Sequence, residues 1–204
     1  MRIHRILLET KAEGPGNRTC IWVQGCKHGC KGCFAKHTWD YELGQEMSTE
    51  EIIQKITKVI DKIDGVTLLG GEPMDQADEL SQVARFVKEA GKNIITFTGY
   101  VYEELLGMNK SGVKELLEYT DLLADGPFIE ELRSFDRPLL GSSNQRFLYL
   151  SEAIKQEEMQ QYHNSFEIRV SKAGKIQVNG MGDIDKLKDY LNKHDGGKDE
   201  FTNI

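Results

Sequence analysis

The chain has 204 residues and a net charge of −7, from 26 basic and 33 acidic side chains. At that length one domain buries roughly 70% of the surface its unfolded chain exposes, so no disulfide or structural metal is needed to hold the fold. No apolar run nears the roughly 20 residues of a membrane span, the N-terminus is too short and polar for a signal peptide, and an acidic chain repels nucleic acid, so a cytoplasmic protein without membrane or nucleic-acid partners is expected.

Residues 3–8 read as a strand, followed by a turn at Glu13-Gly-Pro-Gly-Asn-Arg18, where Pro15 fixes φ between two permissive glycines. Residues 19–23 form a second, β-branched strand that delivers the chain to a cysteine-rich loop. Ser48 and Glu51 make a capping box, and the helix it opens carries Ile52, Ile53, Ile56, Val59, Ile60 and Ile63 at helical spacing. A short apolar strand, 66–69, then ends in Gly70-Gly-Glu-Pro73. A helix over 77–90 stops at Gly91, a helix-terminating glycine, and a strand over 93–97 ends in Thr98-Gly-Tyr100. A helix within 103–118, interrupted near 107–112, precedes a strand over 121–124 that ends in Asp125-Gly-Pro-Phe128. Residues 129–145 look irregular, 146–150 is a strand, and 166–170 with 175–178 form a hairpin about Ala173-Gly174. A short helix over 183–191 follows. One domain over 1–193 with a disordered tail over 194–204 is expected. Alternating strands and helices with short connections predict a parallel sheet, whose ligands gather where the strands end. Four polar or glycine-rich strand ends should therefore share one face.

Cys26, Cys30 and Cys33 form a C-x3-C-x2-C pattern, with Cys20 six residues upstream and no cysteine beyond. Clustering at this density in a reducing compartment points to a metal or cluster ligand set, not disulfides. The spacing alone leaves two readings open. Three thiolates can cap three corners of a cubane iron–sulfur cluster and leave its fourth iron without a protein ligand. They can equally hold a structural zinc, with Cys20, His28 or His37 as the fourth ligand.

The C-x3-C-x2-C loop after Gly14-Pro-Gly-x-Arg18, with Gly70-Gly-Glu-Pro73 after the next strand, resembles the radical S-adenosylmethionine superfamily. Gln24-Gly-Cys26, Thr38-Trp39, Thr98-Gly-Tyr100, Asp125-Gly-Pro-Phe128 and Gly141-Ser-Ser-Asn-Gln145 resemble the anaerobic ribonucleotide reductase activating proteins within it, over about residues 10–147. The resemblance implies a partial, open (βα)6 barrel of the TIM type, carrying a small C-terminal hairpin and helix. It also implies a [4Fe–4S] cluster on Cys26, Cys30 and Cys33, with S-adenosylmethionine on the open iron. The implied activity is reductive cleavage to a 5′-deoxyadenosyl radical that makes a glycyl radical on a partner, most plainly the anaerobic reductase. A radical S-adenosylmethionine enzyme acting directly on a peptide or metabolite is the alternative, and a metal-stabilised binding module without catalysis is a third reading.

Residue by residue, the resemblance places Lys31, Gly32 and Phe34 at the cofactor, the backbone of 32–34 meeting the adenine. Gly70, Gly71 and Pro73 allow close approach, and Glu72 supplies a carboxylate for the methionyl ammonium. Thr98, Asn144 and Asp125 are expected at the cofactor, Asp125 there or on a cation. Phe97 stands where a related activase family has another aspartate. Arg18, Tyr100 and Gln145 are assigned to substrate or partner. Lys27, Lys31 and Lys36 surround the cluster loop and offer a basic face to an acidic electron donor such as flavodoxin.

Overall fold

The computed structural model describes residues 1–174, 176–182 and 189. In chain order its elements are β1 (Arg2–Thr10), β2 (Arg18–Val23), β3 (Gln45–Glu46), α1 (Thr49–Thr57), β4 (Gly65–Gly70), α2 (Ala77–Glu89) and β5 (Asn93–Phe97). There follow α3 (Tyr102–Gly107), α4 (Ser111–Tyr119), β6 (Leu122–Asp125), β7 (Arg146–Tyr149), α5 (Gln156–Gln161), β8 (Phe166–Val170) and β9 (Ile176–Gly180). Seven strands make one sheet in the order β3–β1–β2–β4–β5–β6–β7, and β8 pairs with β9 apart from it.

The fold is mixed α/β with a mostly parallel centre. β2, β4, β5 and β6 run parallel, in registers that set Arg18 beside Gly65, Gly65 beside Asn93 and Ile95 beside Leu122. β1 and β7 flank them antiparallel, so four of the six expected strands are parallel. The direction of β1 follows from its connection: the turn between Thr10 and Arg18 is too short for the crossover a parallel pair requires. Before β7 the chain stays irregular apart from a 3-10 turn at Glu130–Leu132, and no helix carries it back across the sheet.

Helices cover one face. Ile21, Val66, Leu68, Ile94 and Leu123 from the strands meet Ile52 and Ile56 of α1, Leu80 and Val83 of α2, and Leu116 of α4 in one buried cluster. α1 starts on its capping box, with Ser48 N–H donating to Glu51 (2.7 Å) and Glu51 N–H to Ser48 Oγ (3.2 Å). It ends at Thr57, six residues short of Ile63. Thr57 Oγ1 turns back onto the Ile53 carbonyl (2.8 Å), and a 3-10 turn at Ile60–Lys62 keeps Val59 and Ile63 buried. On the other face Ile95 and Leu122 pack on Leu139, Ile154 and Met159 from the segment after β6. That packing covers the β5–β6 half, and the β8–β9 hairpin lies over the β1 side. The helix expected over 183–191 and the tail over 194–204 fall outside the described residues, Asp189 apart.

Candidate active site

Because β2, β4, β5 and β6 are parallel neighbours, their C-terminal loops meet. Gly71 N–H donates to the Val23 carbonyl (2.8 Å) and Glu72 N–H to that of Gly25 (2.8 Å). Thr98 N–H reaches Ala124 (2.9 Å), and Gly126 N–H reaches Tyr100 (2.9 Å). The approach requires glycine: a Cβ on Gly71 would lie 2.2 Å from the Gly25 carbonyl oxygen. Gly25 itself, at φ +103°, has no room for one beneath the Tyr41 ring. The cysteine loop is closed by Gly25 N–H on Thr38 (2.7 Å) and Cys26 N–H on Trp39 (3.0 Å). Gln24 Nε2 adds bonds to the His37 (3.1 Å) and Asp40 (2.8 Å) carbonyls.

Cys26, Cys30 and Cys33 are free and half-buried on this loop. Burial pushes the Cys26 thiol up to about 11 and the Cys30 thiol upward as well. Metal binding there would release protons. Among the described residues no three Cys, His, Asp or Glu side chains converge on a single metal ion. The expected fourth zinc ligands are engaged elsewhere. Cys20 is fully buried within β2, His28 bonds Glu72, and His37 meets the His4 ring at a tilt, 4.7 Å between centroids. Three free, spread thiols are soft donors suited to a polynuclear iron–sulfur core.

Several expected site residues prove to be engaged by the protein itself. Glu72 is fully buried, with four donors on its carboxylate: Met74 N–H (2.9 Å), Thr98 Oγ1 (2.9 Å), Gly99 N–H (2.8 Å) and His28 Nε2 (3.0 Å). No lone pair is left for a methionyl ammonium. Thr98 accordingly props Glu72. Pro73 opens the 3-10 turn at Pro73–Gln76, and Gly70 adopts φ +106° against the Trp22 backbone. Asp125, also fully buried, is gripped by Arg146 and by Tyr102 N–H (2.8 Å). Arg146 in turn bonds Glu103, and these acidic partners hold its pKa far above the ordinary guanidinium value.

Arg18 lies at the opposite end of the sheet, buried at the N-terminal ends of β2, β4 and β5. It donates to Thr67 Oγ1 (2.7 Å), Asn93 Oδ1 (2.7 Å), the Val66 carbonyl (2.9 Å) and the Pro15 carbonyl (3.2 Å). Burial lowers its pKa to about 10. All of these bonds are made within the chain, to β4, β5 and the turn before β2. Gln145 is spent as well, accepting from Gly141 (2.8 Å) and Ser142 (3.1 Å) N–H and donating to Gly126 (3.0 Å). Tyr100 donates to Asp75 (3.0 Å), beside Tyr41 on the same carboxylate (2.5 Å). Lys31 is an exposed side chain paired with Glu130 and Glu131, and Lys27 pairs with Asp75, so two of the three lysines are neutralised.

Other residues remain open to a ligand. Asn144 Nδ2 donates to the Pro127 carbonyl (2.8 Å), while its Oδ1 is buried without a partner among the described residues. Phe34, 43% exposed, packs edge-on to Phe128 (5.6 Å) beneath the Arg133 guanidinium (5.0 Å). A cavity of about 810 Å³ opens at Gly32, Cys33 and Phe34 and runs past Arg5 and Trp22 to Glu13 and residues 178–182. Glu13 accepts from Gly180 N–H (2.7 Å), and burial pushes its pKa up to about 7. Arg5 lies 5.0 Å over the Trp22 ring and reaches the Val178 carbonyl (3.4 Å) and Asn179 (3.5 Å). Glu13 and Arg5 were not singled out from sequence, because only the hairpin folding back onto β1 gives them partners.

The class is set by the match of residues 12–148 to the family described as 4Fe-4S single cluster domain, whose cluster suits the three-thiol donor set above. Two curated relatives are anaerobic ribonucleoside-triphosphate reductase-activating proteins of bacteria. That of Escherichia coli K12 is 32% identical over 152 residues, covering 71% of this chain and 96% of the relative. That of Vibrio cholerae is 35% identical over 153 residues, with the same coverage. The activating protein of phage T4 is 33% identical over 139 residues, covering 65% of this chain and 84% of its own. The solved structure of QueE from Escherichia coli is 24% identical with a TM-score of 0.40, over 48% of this chain and 52% of that one. The chain belongs to the family of anaerobic ribonucleoside-triphosphate reductase-activating proteins. The family match ends at residue 148, so α5 and the β8–β9 hairpin lie beyond it.

Proposed function

We propose that this protein binds a [4Fe–4S] cluster through Cys26, Cys30 and Cys33 and S-adenosylmethionine beside it, and sets a glycyl radical on an anaerobic ribonucleoside-triphosphate reductase. The observation that carries this reading is the convergence of three free thiols with the Gly70–Pro73 loop on one end of a parallel sheet. When bound, the cluster supplies one electron and S-adenosylmethionine supplies the 5′-deoxyadenosyl group that abstracts hydrogen from a glycine Cα.

The chain's own share is orientation and exclusion of water. Gly70 and Gly71 bring main chain, not a side-chain carboxylate, to the methionyl end. Asn144 Oδ1 is a buried acceptor awaiting a donor, at the end of the site formed by the loop after β6. Phe34 and Phe128 offer an apolar edge to a flat base. The 810 Å³ cavity is within the roughly 300–1,000 Å³ of small-molecule sites. On this reading the sheet is the wall of a partial, open barrel, and the cavity lies on its β1–β2–β4 side under the β8–β9 hairpin. An acidic donor such as flavodoxin meets Lys36 at the cavity mouth, Lys27 and Lys31 being paired. The setting is cytoplasmic and reducing.

The test is anaerobic incubation of reconstituted protein with the reductase, S-adenosylmethionine and a reductant. A glycyl radical signal in electron paramagnetic resonance, absent when S-adenosylmethionine is omitted, is expected. Cofactor cleavage without that signal would redirect the reading to another substrate.

A further inference from the structure

We propose that His28 is a positioning residue: through Glu72 it holds the cysteine loop in register with the loops that follow β4 and β5. The consequence for the cofactor rests on the function proposed above, whereas the registration itself does not.

Three short motifs meet at one carboxylate. Glu72 Oε1 takes Met74 N–H and Thr98 Oγ1, tying the turn after β4 to the end of β5, and Oε2 takes Gly99 N–H and His28 Nε2. His28 is the single contributor from the cysteine loop, midway between Cys26 and Cys30. Its imidazole is only 17% exposed and meets the Tyr100 ring edge-on at 4.5 Å. Glu72 N–H on the Gly25 carbonyl (2.8 Å) fixes the start of the loop, and the neighbouring Lys27–Asp75 pair, whose ammonium is exposed and screened, adds little, so His28 is what fixes the middle. Glycine in Thr98-Gly-Tyr100 has the same cause. A Cβ on Gly99 would lie 2.6 Å from His28 Cδ2, although Gly99 has no left-handed φ that would demand glycine.

The bond requires a proton on Nε2, which the neutral Nε2–H tautomer and the imidazolium both provide, so the contact does not hinge on titration. A charged hydrogen bond in a buried site is strong and directional. It couples the height of the cysteine loop to the Gly70–Gly71 backbone. Thiols and methionyl site are thereby set by one fixed node.

His28→Phe keeps a ring against Tyr100 and removes the donor, and His28→Gln restores an N–H. Gly99→Ala displaces the imidazole from a different loop, so the test does not depend on one variant folding. In the metal-free protein, amide exchange of residues 24–33 and 98–100 should accelerate about tenfold in His28→Phe and Gly99→Ala, and return near wild type in His28→Gln. After reconstitution all three should carry wild-type iron, while the first two bind S-adenosylmethionine about 10- to 100-fold more weakly. Wild-type exchange and affinity in both His28→Phe and Gly99→Ala would overturn the proposal. Equal loss of iron in His28→Phe and His28→Gln would overturn it too, since it would make His28 a ligand. If the exchange pattern is as expected but the wild-type protein binds no S-adenosylmethionine, the registration stands and the proposed function falls.

Discussion

Replacing Glu72 with glutamine changes almost no volume and tests the node at the centre of the site. Four donors converge on this carboxylate at 2.8–3.0 Å. The glutamine carbonyl can serve two of them, and its amide must face the other two. Turned toward Thr98 and Met74, the amide can donate to the hydroxyl, which reverses, but the Met74 N–H is orphaned. Turned toward His28 and Gly99, it orphans the Gly99 N–H. Either way one buried N–H loses its acceptor and the remaining bonds lose their charge. Losing a charge-assisted bond costs about 1.5–3 kcal/mol, and an unsatisfied buried donor about 1–3 kcal/mol. Relief of the buried charge offsets part of this, leaving about 2–4 kcal/mol. For a chain of this size that lowers Tm by roughly 6–12 °C. Urea unfolding of the metal-free variant, followed by circular dichroism, measures the change. A loss below about 0.5 kcal/mol would show that Glu72 is not the node described, and would return its carboxylate to the cofactor.

The other expectations concern residues whose roles the structure separates. Arg18→Met removes the donor from Thr67 Oγ1, Asn93 Oδ1 and the Val66 carbonyl, and should cost about 3 kcal/mol or more in urea unfolding. The folded fraction should bind S-adenosylmethionine as wild type does, and a selective loss of binding would restore Arg18 to the site. Cys30→Ala should abolish cluster assembly, read as iron content, with a stability change within about 1 kcal/mol because the loop lies outside the core. Cys20→Ser should keep its iron, since Cys20 is buried inside the sheet, and loss of the cluster would mean a misassigned ligand. Glu13 carries a pKa raised from 4.5 to about 7 by burial. The folded chain therefore holds its proton where the unfolded chain releases it, and this group makes the protein less stable as pH rises from about 4.5 to 7. The size is on the order of 3 kcal/mol. Glu13→Gln should flatten that slope between pH 5 and 7, and an unchanged slope would remove Glu13 from the account.

Much of the fold was legible because local rules and packing agree. The Ser48–Glu51 capping box, the glycine stop at Gly91, the β5 strand and the break between α3 and α4 all have short-range causes, and the structure keeps them. Strand direction had no such local cause. β1 and β7 look like β2 in composition, and only the shape of their connections turns them antiparallel. The two-residue β3 and the polar helix α5 carry too little pattern to be read. Within the site, the spacing of the three cysteines marks one loop, and the structure brings that loop against the Gly70–Pro73 turn. Glu72, Asp125, Arg18 and Gln145 were assigned to a ligand, whereas the structure shows bonds to the protein itself that their local sequence does not announce, such as Glu72 to Thr98, Asp125 to Arg146, Arg18 to Asn93 and Gln145 to Gly126. His28 entered only as an alternative zinc ligand, because nothing local to it signals that Glu72, 44 positions away, is its partner.

The proposed function turns on reductive cleavage of S-adenosylmethionine at the three-thiol loop. The direct measurement is chromatography for 5′-deoxyadenosine after anaerobic reconstitution with iron and sulfide, then dithionite reduction with the cofactor present. Product is expected in the wild-type protein and none in Cys26→Ala, Cys30→Ala or Cys33→Ala. Bound zinc in place of iron, with no 5′-deoxyadenosine formed, would contradict it.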